Sequence, residues 1–249
     1  FPGASGVTHP LLSESVTQFQ AQAFKELLPP KGPVKTRVMG NETKETEEQA
    51  RRVQEFMNYQ ITTVMDEYTP EMDQLLFYLP LAGTSFKKVY YDASKQRAVS
   101  TFVPVEDLVV PYTASDLETC ERITHVVKMT YNEVRTQQLA GFYRDIPLQP
   151  SETGISNDST DKQNELEGIR PGSNEMMYEL LEFHVSMDIP GFEDPDGYHL
   201  PFIITVDRAS GQVLAIRRNY REDDPLKTKI QYFVHYKFLP GLGFYGFGL

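Results

Sequence analysis

The sequence predicts an α+β protein in which amphipathic helices come first and an antiparallel β-sheet with hairpins follows. Two observations carry this prediction. Between residues 10 and 80, apolar residues recur every three or four positions, as they do in helices that pack on a core. From residue 85 onward the helical periodicity is largely lost, and short segments rich in Val, Ile, Phe and Tyr are typical of strands.

The first helix is predicted to open at Thr8, a hydroxyl cap, followed by Pro10, whose missing N–H costs nothing there. Pro29 and Pro30 end it. Its apolar face consists of Leu12, Val16, Phe19, Ala23 and Leu27.

A second helix follows the polar residues 31–45. Thr46 and Gln49 have the spacing of a capping box, which contributes about 1 kcal/mol. One apolar stripe runs along the helix: Ala50, Val53, Met57, Ile61, Val64 and Tyr68. We expect this stripe to pack on the core; a contact between subunits is the alternative.

The third helix is predicted to begin at Thr69 and Pro70 and to be broken by Pro80 and Gly83. Strands are then predicted over residues 85–92, 99–110, 122–131, 176–187, 200–207, 212–220 and 229–238. The first two form a hairpin. Asn132 is expected to cap a short helix that ends near Gly141.

Composition divides the chain into three parts. Residues 1–147 hold the helices and the first hairpin. Residues 148–174 contain almost no large hydrophobic side chains, which predicts a flexible polar loop or linker. Residues 175–249 are predicted to form antiparallel strands. Because the chain lacks an initiator Met and stops in a glycine-aromatic run, we expect it to be a piece of a longer protein.

Charge and cysteine content exclude several classes of protein. With 35 acidic and 24 basic residues the net charge is −11, so the chain will not grip nucleic acid through clustered Lys and Arg. Its single cysteine, Cys120, permits no internal disulfide, and we interpret it as a small, half-buried hydrophobic residue rather than a reactive thiol. No apolar run is long enough to span a membrane.

No group of residues has the spacing of an active site, a cofactor site or a metal site. The five histidines form no metal-binding pair, and the acidic residues 188–196 lack the ligand spacing of an EF-hand. Gly241, Gly243, Gly246 and Gly248 lie among aromatic residues, which indicates close backbone packing or a bend rather than a phosphate loop. We therefore expect a binding or assembly protein with no enzymatic activity. The enzyme alternative is a hydrolase built on carboxylates such as Glu106, Asp107 and Asp116.

Several segments, taken together and in order, are similar to a known family: FKELLP at 24–29, GPVK at 32–35, residues 54–59, DQLLFYLPLAGTSFKKVYY at 73–91, FVPVEDLVV at 102–110, Pro111 and Tyr112, Asp116 and Leu117, and FVHYKFLPGLGFYGFGL at 233–249. The chain resembles the portal protein of short-tailed bacteriophages and related prophages. The resemblance runs through most of the chain and is weakest over residues 148–174. The resemblance is specific because all these segments occur together and in this order, and no single motif is diagnostic.

The resemblance implies a structural protein of the virion, assembled in the cytoplasm of the host bacterium. Portal subunits form a ring, typically of twelve, at one capsid vertex. Double-stranded DNA is packaged and ejected through this ring without sequence-specific binding, and terminase, capsid or scaffold proteins and tail adaptors attach to it. This chain would be an N-terminal, wing-region piece that leads to the start of the stem, monomeric or weakly associated by itself. Another virion or head–tail adaptor protein is the first alternative.

Overall fold

The computed structural model describes residues 9–93, 95–150 and 177–249, and it has the α+β architecture that the sequence predicts. The chain forms two compact units. Unit 1 comprises Phe1–Val105 together with Tyr232–Leu249, and unit 2 comprises Glu106–Gln231. This division differs from the boundaries expected near residues 147 and 175, because strands that pair with each other come from opposite sides of those boundaries.

The secondary structure elements are numbered in chain order. The helices are α1 (Leu11–Leu27), α2 (Lys44–Tyr59), α3 (Tyr68–Ala82) and α4 (Tyr131–Leu139). The strands are β1 (Thr84–Asp92), β2 (Arg97–Val103), β3 (Leu108–Val109), β4 (Arg122–Thr130), β5 (Met177–Met187), β6 (Leu200–Asp207), β7 (Val213–Arg218) and β8 (Phe233–Lys237). Most predicted strands are thus confirmed to within a few residues.

The helix starts differ from the predicted ones. Pro10 directly precedes α1 and no side chain caps that end, while Thr8 lies outside the described residues. The capping box of α2 is formed by Thr43 and Thr46, not by Thr46 and Gln49. Thr43 already has the extended backbone of a capping residue, and its hydroxyl accepts the Thr46 N–H at 3.3 Å.

The second predicted helix is shorter than its apolar stripe. After α2 ends at Tyr59, the chain makes a single π-helical turn over Gln60–Val64 and then turns into α3. Pro80 does not end α3: the helix runs two residues further, to Ala82, although the proline lacks the N–H that would donate to the Leu76 carbonyl. The helix ends at Gly83, whose φ of 75° is left-handed.

Unit 1 is built on a three-stranded antiparallel sheet in the order β2-β1-β8. The predicted strand over residues 99–110 is interrupted after Val103. Pro104 has no N–H for the ladder, and a short 3₁₀ turn, Val105–Asp107, separates β2 from β3. Helix α3 packs on one face of this sheet, and α1 packs against α3. Their shared core is Met72, Leu75, Leu76 and Leu79, with Phe19, Phe24, Phe102, Tyr236 and Phe238 packed around it.

Unit 2 is a five-stranded antiparallel sheet in the order β3-β4-β5-β6-β7, with α4 beside it. Tyr143, Leu180 and Leu214 form a buried cluster. Helix α4 is capped by Thr130 with Glu133 rather than by Asn132, because Thr130 is the last residue with extended backbone. Gly141, just past this helix, has the left-handed φ expected there.

Two further predictions concern the polar linker and membrane-spanning segments. Of the predicted flexible linker, residues 151–174 lie outside the described residues. Among the residues that the structure does describe, no helix combines the length and apolar character needed to cross a membrane.

Candidate interaction surfaces

Helix α2 is covered on one side by the chain segment that precedes it. The Asn58 side chain accepts the Val34 N–H at 2.9 Å and donates to the Val34 carbonyl at 3.1 Å. The Gln54 side chain accepts the Thr36 N–H at 3.2 Å. Asn58 and Gln54 are four residues apart and share one helix face. The polar side chains on that face are therefore paired with backbone groups of the preceding segment.

The adjacent side of α2 is apolar and exposed. We call Val53, Phe56, Met57 and Tyr59 the α2 face. Phe56 is 62% exposed, and no residue of α2 is buried. Val53 and Met57 belong to the stripe predicted from the sequence, so the prediction that the stripe packs on the core is wrong for its α2 part. Periodicity shows that a helix has an apolar side, but it does not show what covers that side. The alternative, a contact between subunits, stays a prediction.

The last eleven residues, 239–249, form what we call the strap. The Phe244 ring lies 4.6 Å from the His235 ring, which lies 4.8 Å from the Phe86 ring, on the sheet face opposite α3. The Gly246 N–H donates to Thr84 Oγ1 at 2.7 Å, and the Leu249 N–H donates to the Pro80 carbonyl at 2.8 Å. The strap thus joins the sheet to the end of α3.

Glycine is required where the strap meets α3. A Cβ at Gly83 would lie 2.5 Å from the Gly248 nitrogen and 2.6 Å from the Gly246 oxygen. A Cβ at Gly246 or Gly248 would likewise lie 2.5 or 2.6 Å from a backbone oxygen. The interpretation as sites of close backbone packing is confirmed for Gly241, Gly246 and Gly248, whereas Gly243 has open space around it.

The outside of the strap is a second exposed apolar surface. Leu239 and Phe247 exchange backbone hydrogen bonds of 3.2 and 2.9 Å, so their side chains share one face. Phe77 and Leu81 lie four residues apart on α3, beside Leu249. We call these five residues the strap surface. Each is between 44% and 59% exposed.

A buried lysine lies beneath α3. Lys87 on β1 is only 2% exposed, and among the described residues its Nζ has no hydrogen-bond partner. The ammonium lies 4.2 Å from the centre of the Tyr68 ring. Burial lowers the pKa of Lys87 to about 8, against the opposing attraction of Glu71 and Glu67. Sequence reasoning missed this group, although two adjacent lysines in one strand must point to opposite faces.

Unit 2 has a buried polar pair on β5. His184 Nε2 lies 2.7 Å from Glu182 Oε1, and Arg217 Nη2 lies 3.7 Å from Glu182 Oε2. The Arg217 guanidinium in turn lies 4.1 Å from the centre of the Phe142 ring. The three side chains provide hydrogen-bond or charge partners for one another. Buried polar groups with such partners commonly have a structural role, because a buried charge without a partner is costly.

The remaining histidines are scattered. His235 is in the aromatic stack of unit 1, where burial lowers its pKa to about 4. His125 faces Glu182 across the β4–β5 pair, and exposed His199 lies 3.3 Å from Asp188. Throughout residues 9–93, 95–150 and 177–249, no three His, Cys, Asp or Glu side chains are placed to hold a metal ion.

The carboxylates of the hydrolase alternative have different surroundings. Burial raises the pKa of Asp107, which lies 3.8 Å from Lys128 and beside Glu106. Asp116 instead accepts hydrogen bonds from the N–H and hydroxyl of Thr119, and these hold its pKa at about 2. Asp116 is thus the cap of a local turn.

Two other predicted features have local structural roles. Cys120 is buried, and burial raises its pKa. Within loop 188–196, Asp194 accepts a short hydrogen bond from Lys227, which lowers the pKa of Asp194. Cys120 is more deeply buried than the half-buried position expected from the sequence.

No model of a known protein family matches the chain, and no curated protein sequence matches it significantly.

Proposed function

We propose that this chain is a structural part of the portal vertex of a short-tailed bacteriophage or a related prophage. In this role it contributes to the ring through which the genome is packaged and ejected. It acts by shape and mutual contact, in the virion, and makes or breaks no bond.

The observation that carries the proposal is the ordered set of portal-like segments. Residues 73–91 supply most of α3 and β1, residues 102–110 begin in β2, and residues 233–249 supply β8 and the strap. Residues 73–91 and 233–249 are more than a hundred residues apart along the chain and pack into one body, unit 1, whereas residues 106–117 belong to unit 2. The two longest portal-like segments are thus parts of one packed body.

Charge supports the same role. A net charge of −11 opposes tight binding to phosphates, so DNA can slide past such a wall. The sequence also carries no phosphate-binding loop, and the packaging motor of this proposal belongs to a separate terminase.

The exposed apolar surfaces support assembly. The α2 face and the strap surface are two separate clusters of exposed large hydrophobic side chains on one unit. Surfaces of this kind on a soluble domain commonly mark contacts with other proteins.

The proposal is tested in the phage or prophage genome that encodes the chain. Deleting the coding sequence should leave host lysis and empty heads but abolish DNA-filled heads, and the gene supplied in trans should restore them. Antibodies against the chain should label one vertex of each particle. DNA-filled heads in the deletion strain would overturn the proposal. Filled heads that lack tails would instead indicate the head–tail adaptor alternative.

A further inference from the structure

We infer that the strap opens in mild acid: it stays closed on the sheet while His235 is uncharged, and it is released when that imidazole gains a proton. The inference goes beyond the proposed function and does not depend on it, because the strap and its sheet belong to one unit of the chain.

The closed strap places an aromatic ring against the His235 imidazole. The Phe244 ring lies 4.6 Å from the imidazole and the Phe86 ring lies 4.8 Å from it, with 6.0 Å between the two phenyl rings. Both phenylalanines are buried. His235 Nε2 is buried too, and it has no hydrogen-bond partner among the described residues. This nitrogen therefore lies in an apolar site of which the strap forms one side.

A proton on Nε2 is costly while the strap is closed. In neutral imidazole, Nε2 can be the nitrogen without a proton, which acts only as an acceptor. Protonation turns it into a charged donor, and a buried charged donor without a partner is destabilising. The two phenyl rings return only part of this loss. Burial accordingly lowers the pKa of His235 to about 4.

The charged side chains near His235 on its sheet face are basic. Lys237 is two residues along β8, and its charge also lowers the pKa of His235. Lys88 of β1 is paired with Phe233 and lies on the same face. The strap itself brings one titratable side chain, Tyr245, which is uncharged in acid.

No carboxylate of these elements lies close enough to stabilise the imidazolium. The strap and strands β1, β2 and β8 contain one acidic residue, Asp92, at the far end of β1 and paired with Arg97 of β2. Asp92 is six positions along the strand from Phe86, which corresponds to about 20 Å. Protonation of His235 therefore adds a positive charge to a site that has only positive neighbours.

The strap can open without unfolding the sheet. The Gly246 N–H donates to Thr84 Oγ1 at 2.7 Å, the Leu249 N–H donates to the Pro80 carbonyl at 2.8 Å, and the Lys237 ammonium donates to a strap carbonyl at 3.1 Å. Strand β1, in contrast, is paired along its length with β2 on one side and with β8 on the other. Segments held by few hydrogen bonds open locally at a lower free energy than central strands.

The direction of the pH effect follows from the pKa values of the closed and open states. Opening exposes the imidazole, whose pKa returns towards the usual 6.5, so the open state binds more protons between about pH 6.5 and pH 4. The open fraction should therefore rise as pH falls through this range, by about eightfold from pH 7 to pH 5.5. The lower value lies above the isoelectric point of about 5.0, so the chain keeps a negative net charge there.

Amide hydrogen exchange of the purified chain, corrected for the intrinsic pH dependence of exchange, tests the inference. The Gly246 and Leu249 amides report strap opening, and the β1 amides report unfolding of the sheet. His235→Phe is the matched control, because it keeps an aromatic ring beside Phe244 and cannot gain a proton. The protection of the two strap amides should fall about eightfold from pH 7 to pH 5.5 in the parent and less than about twofold in the control. Equal changes in parent and control, or a parallel loss of protection in β1, would overturn the inference.

Phe244→Ala provides a second test, because it uncovers the imidazole directly. Strap closure and proton binding oppose each other, so removing the covering ring must make protonation easier. The NMR signal of His235 should titrate at about pH 6 or above in this variant and stay unprotonated down to pH 5.5 in the parent. Titration at the same pH in both proteins would show that the strap does not control the charge of His235, and it would also overturn the inference.

Discussion

The ammonium of Lys87 lies 4.2 Å from the centre of the Tyr68 ring, in a site that water barely reaches. A cation–π contact replaces only part of the hydration that a buried ammonium loses. The strand alternation that puts Phe86 into the aromatic stack also puts Lys87 beneath α3. Unit 1 therefore includes one group whose charge destabilises its fold.

We expect Lys87→Met to stabilise the protein near pH 7 by on the order of 1–3 kcal/mol, because it keeps the apolar stem and removes the buried charge. Urea unfolding measures this change. Exposed Lys95→Met is the matched control and should leave stability nearly unchanged. A destabilised Lys87→Met variant would show that the ammonium is better stabilised than its contacts indicate.

The same lysine predicts a pH dependence of stability. Its folded-state pKa of about 8 lies below the usual 10.5, so the unfolded chain binds more protons between these values. The contribution of Lys87 to stability should rise as pH increases from about 8, with a slope of at most about 1.4 kcal/mol per pH unit. Cys120, whose raised pKa acts in the opposite direction, is present in both the parent and Lys87→Met, so the difference between their profiles isolates Lys87. Measurements should stop near pH 9.5, since Tyr68 and Tyr236 have raised pKa values and their ionisation opposes folding above that range. Lys87→Met should show a flatter profile.

Gly83→Ala should detach the strap from α3. Alanine in a left-handed conformation costs about 1–2 kcal/mol, and its Cβ would also overlap the backbone of Gly246 and Gly248. Gly141→Ala is the control, because Gly141 has nearly the same φ, 73°, with open space around it. Unfolding free energy should fall by clearly more in Gly83→Ala, and proteases should cleave residues 239–249 faster. Equal losses of unfolding free energy in the two variants would mean that the left-handed backbone strain alone, and not the overlap with Gly246 and Gly248, causes the loss.

Asn58→Ala should release the segment in front of α2. The Val34 N–H and carbonyl lose both side-chain partners, while no core side chain is removed. Amide hydrogen exchange at Val34 should accelerate, whereas exchange in the β1 strand stays slow. Uniform acceleration through unit 1 would instead mean that this segment is part of its cooperative core.

Glu182→Leu should destabilise unit 2 by about 3 kcal/mol, because it takes from buried His184 and from Arg217 the carboxylate that they share. The double variant Glu182→Leu/His184→Leu should recover part of that loss, since two apolar residues replace the buried pair. Thermal unfolding of both variants measures the difference. The single variant His184→Leu completes the cycle, and losses of the two single variants that add up to the loss of the double variant would mean that the two side chains do not interact.

Local patterns were sufficient for much of the fold. The helix–strand switch near residue 85, the strands over residues 122–131 and 200–207, and the close packing at the terminal glycines all followed from periodicity and residue type. The predicted helix caps and the predicted ends of helices and strands agreed less well with the structure. Thr43, Thr46, Thr130 and Asn132 are all good capping residues, and only the path of the chain before each helix decides which of them is used.

The sequence by itself determined the fold class, the order of the elements and the acidic charge, because these depend on near neighbours and composition. Only the tertiary structure decided that β8 pairs with β1, that Lys87 is buried, and that one side of α2 stays uncovered. Burial and strand pairing depend on residues that are distant along the chain, and a helix's apolar stripe has the same pattern whether its partner is its own core or another molecule.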